Sequence, residues 1–242
     1  MSSNQQTYKI PSTQELVTLS AMTLQDEKVR LSNTNYIMSM ISIINRRIQE
    51  NTPENLAIDI GEYPLTDLQY LIYQLRILTY GPIYDLSFTC PSCGNQVKDQ
   101  VDLNELQLKD TNSELHFDIG PLPVSKDVLS CKLMSARDFV RVAEETDNIR
   151  VKYPDYEGDP SMTLMYAAKI ESVNKKKLPG YQLNDYVDNM HARDALYFDR
   201  KYAEIADGGL DLQRSVRCPS CGSIVPYELP ITEEFWTPSD LD

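Results

Sequence analysis

The chain has 242 residues, 41 % of them hydrophobic, with a formal net charge of −13 and a pI near 4.6. That length and apolar content exclude a disordered chain and provide for a real core, and no apolar run reaches the roughly 18 residues of a membrane span. The acidic balance argues against general nucleic-acid binding, which needs Lys and Arg to neutralise phosphates.

Residues 1–9 read as a polar tail, and Ile10–Ser20 as a stretch that docks on another surface rather than forming a full helix. Ser12-Thr13-Gln14-Glu15 has capping-box spacing, but the apolar run behind it is short. Helices are expected over 23–31 and 35–50, the second capped by Asn33 or Thr34 and ended by Asn51-Thr52-Pro53. Tyr36, Ile37, Met40, Ile41, Ile44 and Ile48 make its apolar stripe. Arg46 and Arg47 suit the negative end of that helix; a nucleic-acid contact is the other reading. A third helix, 67–79, is expected to be capped by Thr66 and stopped by Gly81-Pro82. Tyr84 to Thr89 then leads as a strand into the first cysteine motif.

Cys90-Pro91-Ser92-Cys93-Gly94 returns as Cys218-Pro219-Ser220-Cys221-Gly222. In CPSCG the Gly after the second Cys permits a positive φ, so the turn closes and aims both sulfurs at one point. One such turn supplies half of a tetrahedral zinc site. Cys90, Cys93, Cys218 and Cys221 are therefore the expected ligands of one structural Zn2+, closed and without a position for water. The 124 residues between Cys93 and Cys218 (218 − 93 − 1) far exceed the about 15–20 of an ordinary ribbon. Closing so long a loop costs only roughly 4–5 kcal/mol, against about 10–16 kcal/mol from a structural zinc. Strand-like sequence follows each motif, so each knuckle reads as the turn of a β-hairpin, and the pair as a split zinc ribbon. Two disulfides or redox pairs are the competing reading. Cys131 is left over as a buried free thiol, and His116 and His191 have no ligand partners at useful spacing.

Between the knuckles, 115–119 and 128–133 alternate as two strands around Gly120-Pro121 and Pro123. Ser135 or Ala136 opens a helix to about 146, and Asp159-Pro160 opens another bearing Leu164, Met165, Ala167, Ala168 and Ile170. Lys175-Lys176-Lys177 is either a solvated loop or a docking point for an acidic partner. A short helix over 184–189 precedes one over 190–205, capped by Asp188 or Asn189. Leu210 to Arg217 returns as a strand into the second knuckle. The tail 231–238 carries the single Trp and either folds back on the ribbon or docks on a partner.

The fold class expected is α+β, mainly helical, with a small antiparallel zinc-ribbon sheet formed by the two distant knuckles. Its divisions are an N-terminal arm (1–22), a helical unit with the first knuckle (23–108), an inserted α+β region (109–209), and the second knuckle with the aromatic tail (210–242). There is no P-loop, GxSxG or HExxH, and two histidines leave little for acid–base work. No enzyme and no small-molecule substrate are expected. The polar N-terminus, without a signal-peptide pattern, points to the cytosol.

The order of these parts resembles the baseplate hub and hub-assembly proteins of T-even-type contractile-tailed phages. The segments that carry the likeness are RILTYGPIYDLSFTCPSCG at 76–94 and MHARDALYFDRKYAEIADGGLDLQRSVRCPSCGSIVPYELPITEEFWTPS at 190–239. In that group a helix with an Arg-Asp pair runs into a CxxCG knuckle, a strand and an aromatic tail ending near a Pro. Arg193-Asp194, Cys218, Cys221, Gly222, Phe235 and Pro238 hold those places. The resemblance implies a non-enzymatic structural or assembly protein with other tail proteins as partners. It implies a place in the host cytoplasm during assembly, and in the virion tail baseplate if the protein is retained. Some proteins of that type lack cysteines, which makes the zinc a structural aid. The alternative is a zinc-ribbon regulator that binds nucleic acid or the transcription machinery.

Overall fold

The computed structural model describes residues 4–32, 35–49, 58–109, 114–155 and 157–238. The caps expected at Asn33 or Thr34 and the stop at 51–53 lie outside them. The chain opens on a hairpin, β1 (Gln5–Lys9) with β2 (Leu16–Ser20), in which Tyr8 faces Val17. This corrects the polar tail and the docked stretch. Tyr8, Ile10, Val17 and Leu19 are all buried, a period-two pattern too short to stand out among polar neighbours. Ser12 caps no helix: its N–H and hydroxyl both donate to the buried Asp67 carboxylate.

Three helices follow: α1 (Leu24–Ser32), α2 (Tyr36–Gln49) and α3 (Leu65–Tyr80). The isoleucine stripe of α2 is buried as its spacing requires, with Ile41, Ile44 and Ile48 at 3 % exposure or less. Its basic end is not free for nucleic acid. Arg46 Nη1 lies 3.0 Å and Arg47 Nε 3.3 Å from the carboxylate of Asp26, which is itself fully buried on α1. The third helix begins two residues earlier than expected, at Leu65 after Pro64 rather than at 67 after Thr66. Pro64 is held extended by a bridge to Ser135, with the Ala136 N–H donating to Tyr63 O at 3.0 Å.

Strand β3 (Ile83–Thr89) pairs with β4 (Gln96–Asp102) across the first knuckle, from Ile83↔Asp102 to Thr89↔Gln96. The inserted region then forms a three-stranded sheet. Its middle strand β6 (Leu129–Lys132) lies between β5 (His116–Ile119) and β7 (Ile170–Val173). Two helices separate β6 from β7: α4 (Ala136–Lys152), with a complete Ser135–Asp138 capping box, and α5 (Pro160–Lys169), with Pro at its start and Asp159 as its cap. The sequence places α4's end near 146 and runs Ile170 on as helix. Instead α4 continues to Lys152, and Ile170–Val173 breaks into a strand because β6 offers an unpaired edge to it. Helix α6 (Gly180–Asp188) starts earlier than expected, and α7 (Ala192–Ala206) is capped by His191, whose Nδ1 accepts from the Arg193 N–H at 3.1 Å, not by Asp188 or Asn189. The chain returns as β8 (Gln213–Arg217) and β9 (Ile224–Glu228) around the second knuckle, then a 3-10 turn at Glu234–Trp236.

The protein is α+β, with seven α-helices and small antiparallel sheets among the described residues. One expectation needs correcting. The two knuckle hairpins do not share a sheet; each is a separate two-stranded ribbon. They are joined through side chains instead. The rings of Phe88 and Tyr227 meet at a tilt with centres 5.1 Å apart, and the Tyr227 hydroxyl donates to Asp99.

Buried side chains form two main clusters. One gathers the N-terminal hairpin, α2, α3, Tyr84 and Leu86 of β3, and the C-terminal Leu229, Phe235 and Trp236. The other gathers the three-stranded sheet with α6 and α7, around Phe198. The tail therefore folds back on β3 of the first knuckle hairpin, as one of the two readings had it, but as part of the core it shares with α3 rather than as a surface anchor. Phe235 sits edge-on to Tyr73 at 4.9 Å and to Tyr84 at 5.4 Å. The fully buried Arg76 donates through Nε to Phe235 O at 2.9 Å and through Nη2 to Ile83 O at 2.7 Å.

Candidate metal centre

The two knuckles are near copies in backbone as well as in sequence. Cys90 N–H donates to Asn95 O at 2.8 Å, and Cys218 N–H to Ser223 O at 2.9 Å. Gly94 N–H closes the first turn on Cys90 O, and Gly222 N–H the second on Cys218 O, both at 2.9 Å. Both glycines have φ of 75°, the left-handed region a Cβ would oppose. The CPSCG spelling thus dictates a turn that lifts two sulfurs off the end of each hairpin.

The flanking strands bring the turns face to face. Cys90 Sγ lies 3.8 Å from Cys221 Sγ, and Cys93 Sγ 3.7 Å from Cys218 Sγ. All four sulfurs fall within 4.8 Å of one another. Cys90 and Cys218, at 1 % exposure, sit on a small apolar floor with Val97 and Val225, while Cys93 and Cys221 face outward. The cross-knuckle spacings fit a tetrahedron, since a Zn–S bond of about 2.3 Å implies sulfurs about 3.8 Å apart. Ligands of this kind suit a soft or borderline cation such as Zn2+, and four of them leave no position for water.

The Ser223 hydroxyl and N–H beside Cys221 pull that thiol down to about 6. The Asn95 N–H acts likewise on Cys93, yet burial and the sulfurs of Cys221, Cys218 and Cys90 push it up to about 12. Four sulfurs this close cannot all be thiolates unless a cation sits among them.

The other sequence candidates lie elsewhere. Cys131 is fully buried, and burial pushes its thiol up to about 12. His116 Nδ1 lies 2.9 Å from Glu171 on the surface, and His191 is a helix cap. Lys175, Lys176 and Lys177 are exposed on the turn after β7. Asp194 of the Arg193-Asp194 pair is buried and receives the Val124 N–H at 2.7 Å and the Ser125 N–H at 2.9 Å. It fastens α7 to the β5–β6 connection and makes no approach to the cysteines. Sequence reasoning missed the supports of the centre. Ser223 Oγ lies 3.3 Å from Cys221 Sγ, and Arg217 Nη1 donates to Gly222 O at 2.9 Å. Their one signal is position, immediately before and after the repeated motif.

A second unforeseen feature braces the centre from behind. Leu108 and Leu210 bridge antiparallel, Lys109 N–H donates to Gly209 O and Asp211 N–H to Gln107 O, each at 2.8 Å, and Lys109 Nζ lies 2.6 Å from Asp207. The two ends of the inserted region are thus tied together on the protein side of the cysteines.

Residues 3–235 match the family model described as T4 bacteriophage base plate protein. No curated protein and no solved structure gives a match.

Proposed function

The chain belongs to the T4 bacteriophage base plate protein family, and from that membership we propose that it is a non-enzymatic protein of the baseplate hub region. It builds, or is built into, the hub by binding other tail proteins. It works in the host cytoplasm during assembly and in the virion tail if retained. One structural Zn2+ held by Cys90, Cys93, Cys218 and Cys221 fixes the two knuckle hairpins to each other. The observation that carries the metal reading is the pair of cross-knuckle sulfur spacings, 3.8 and 3.7 Å, which match the edge of a zinc–thiolate tetrahedron. A closed centre of this kind supplies shape rather than chemistry. Among the described residues no helix is long and apolar enough to cross a membrane. The regulator alternative loses its best candidates, because Arg46 and Arg47 are engaged by Asp26.

The divisions 1–22, 23–108, 109–209 and 210–242 are retained with one proposed change. The arm, the helical unit and the C-terminal tail act as one body, since their apolar side chains share a cluster.

Co-expression with the hub proteins of the same phage, followed by size-exclusion chromatography and elemental analysis, tests both halves. The expected result is a stable complex with one zinc per chain and only Cys131 free on mild unfolding. A chain that stays alone beside every hub protein overturns the assembly reading. A metal-free chain with four reactive thiols or two disulfides overturns the zinc reading.

A further inference from the structure

A groove far from the cysteines carries an unexplained charge. Between α4 and α5 lie two adjoining hollows of 390 and 230 Å3 that share Phe139 and Met165 as walls. The larger is lined by Val142, Ala143, Thr146 and the exposed Asp147 and ends at Arg150. The smaller lies between the two buried clusters, walled by Leu65, Met134 and Tyr202, and holds Lys169. Lys169 is the last residue of α5, half-buried, with its ammonium 4.7 Å from the Tyr202 ring centre and 5.5 Å from that of Tyr166. Among the described residues no carboxylate forms an ion pair with it. Asp199 acts on it from a distance while receiving the Tyr166 hydroxyl. Burial holds the Lys169 ammonium below the ordinary lysine range.

The two tyrosine faces and the C-terminus of α5 support a cation there. They do not replace a counter-ion in an otherwise apolar cleft. Arg150, at the far end, already has Asp159 at 3.1 Å. At the Tyr202 end of the groove Lys169 is therefore a cation with no carboxylate in ion-pair contact, while the exposed Asp147 lies at the Arg150 end. From Phe139 to Arg150 the groove follows about 16 Å of helix at 1.5 Å per residue, a length suited to a peptide segment rather than a small molecule. Met134 and Met165 are walls that adapt to an incoming side chain.

We infer that this groove docks a segment of another protein whose apolar side chains lie along α4 and α5 and whose carboxylate meets Lys169. The carboxylate is a Glu or Asp side chain or a free chain end. The inference is independent of the metal centre and draws on the assembly reading only in taking the occupant to be a protein.

The test uses the full chain and short capped Leu/Ser peptides that differ in one residue, Glu or Gln, with a third peptide that ends in a free carboxylate. Binding is read by titration calorimetry. The Glu peptide should bind about tenfold tighter than the Gln peptide, as expected for one charge-assisted pair. Lys169→Met should erase that preference without weakening the Gln peptide, and Lys169→Arg should keep it. Ala143→Trp, at an exposed position, should block every peptide. A tighter free-acid peptide than Glu peptide assigns the carboxylate to a chain end. Equal binding of Glu and Gln peptides, a preference that survives Lys169→Met, or no binding of any peptide overturns the inference. Each of these leaves hub-complex formation untouched, so the two readings fail separately.

Discussion

Asp194 shows what one buried carboxylate does in this chain. Burial works to raise its pKa, but the N–H groups of Ser125 and Val124 outweigh burial and hold it below the usual carboxylate range. A group whose folded pKa is depressed adds stability above its unfolded value, near about 3.9, and loses it as pH falls through the folded value. Asp194→Asn should therefore lower the melting temperature by several degrees at neutral pH. The gap to the unmodified protein should close as pH falls below about 4. Thermal melts of both proteins across that range check it; a gap that does not change with pH sinks the account. The Arg-Asp pair is legible in sequence as a motif. Its purpose is not, because Val124 and Ser125 lie about 70 positions away.

At the scale of elements, the C-terminal 3-10 turn is the clearest case of a short segment carrying a large share of a core. Phe235 is fully buried and meets three aromatic rings, those of Tyr73, Tyr84 and Trp236. Phe235→Ala should cost about 3–5 kcal/mol, the range for emptying a large aromatic site. Urea unfolding measures it, and a loss under about 1 kcal/mol would mean that the tail is not part of the core. The same scale explains the hairpin at 5–20, hidden in the sequence. Four alternating apolar residues among polar ones are weak evidence alone. They acquire meaning only against the α2–α3 surface that buries them. Strand β7 is hidden for the opposite reason: its apolar residues continue α5's pattern, and only the edge of β6 selects a strand.

For the whole molecule, the bridge at Leu108 and Leu210 changes what a metal held by the four cysteines would have to do. With residues 109 and 209 already tied, the span that such a metal would close is not the whole insertion. It shrinks to the stretches 94–108 and 210–217. Less loop entropy would then depend on the metal. Metal removal by a chelator should loosen residues 83–102 and 213–228 while the Phe198 cluster stays closed. Amide hydrogen exchange with and without chelator reads this directly. Protection should fall by at least about tenfold, about 1.4 kcal/mol of local stability, in the two hairpins only. Simultaneous loss across β5–β7 and α7 would show that the cysteines, not the bridge, hold the insertion.

The sequence by itself determined the local parts: two identical turns with their four sulfurs, the isoleucine face of α2, the capped starts of α4 and α5, and the family likeness. Each is written in consecutive or periodically spaced residues, where turn chemistry and helical spacing act without help. Only the tertiary structure decided that the knuckles meet as separate ribbons, that Phe235 is core, that Arg46 and Arg47 are engaged, and that Lys169 stands in a groove with no carboxylate in ion-pair contact. Those outcomes depend on which distant surfaces exclude water together, and burial is a property of the packed chain rather than of any stretch of it.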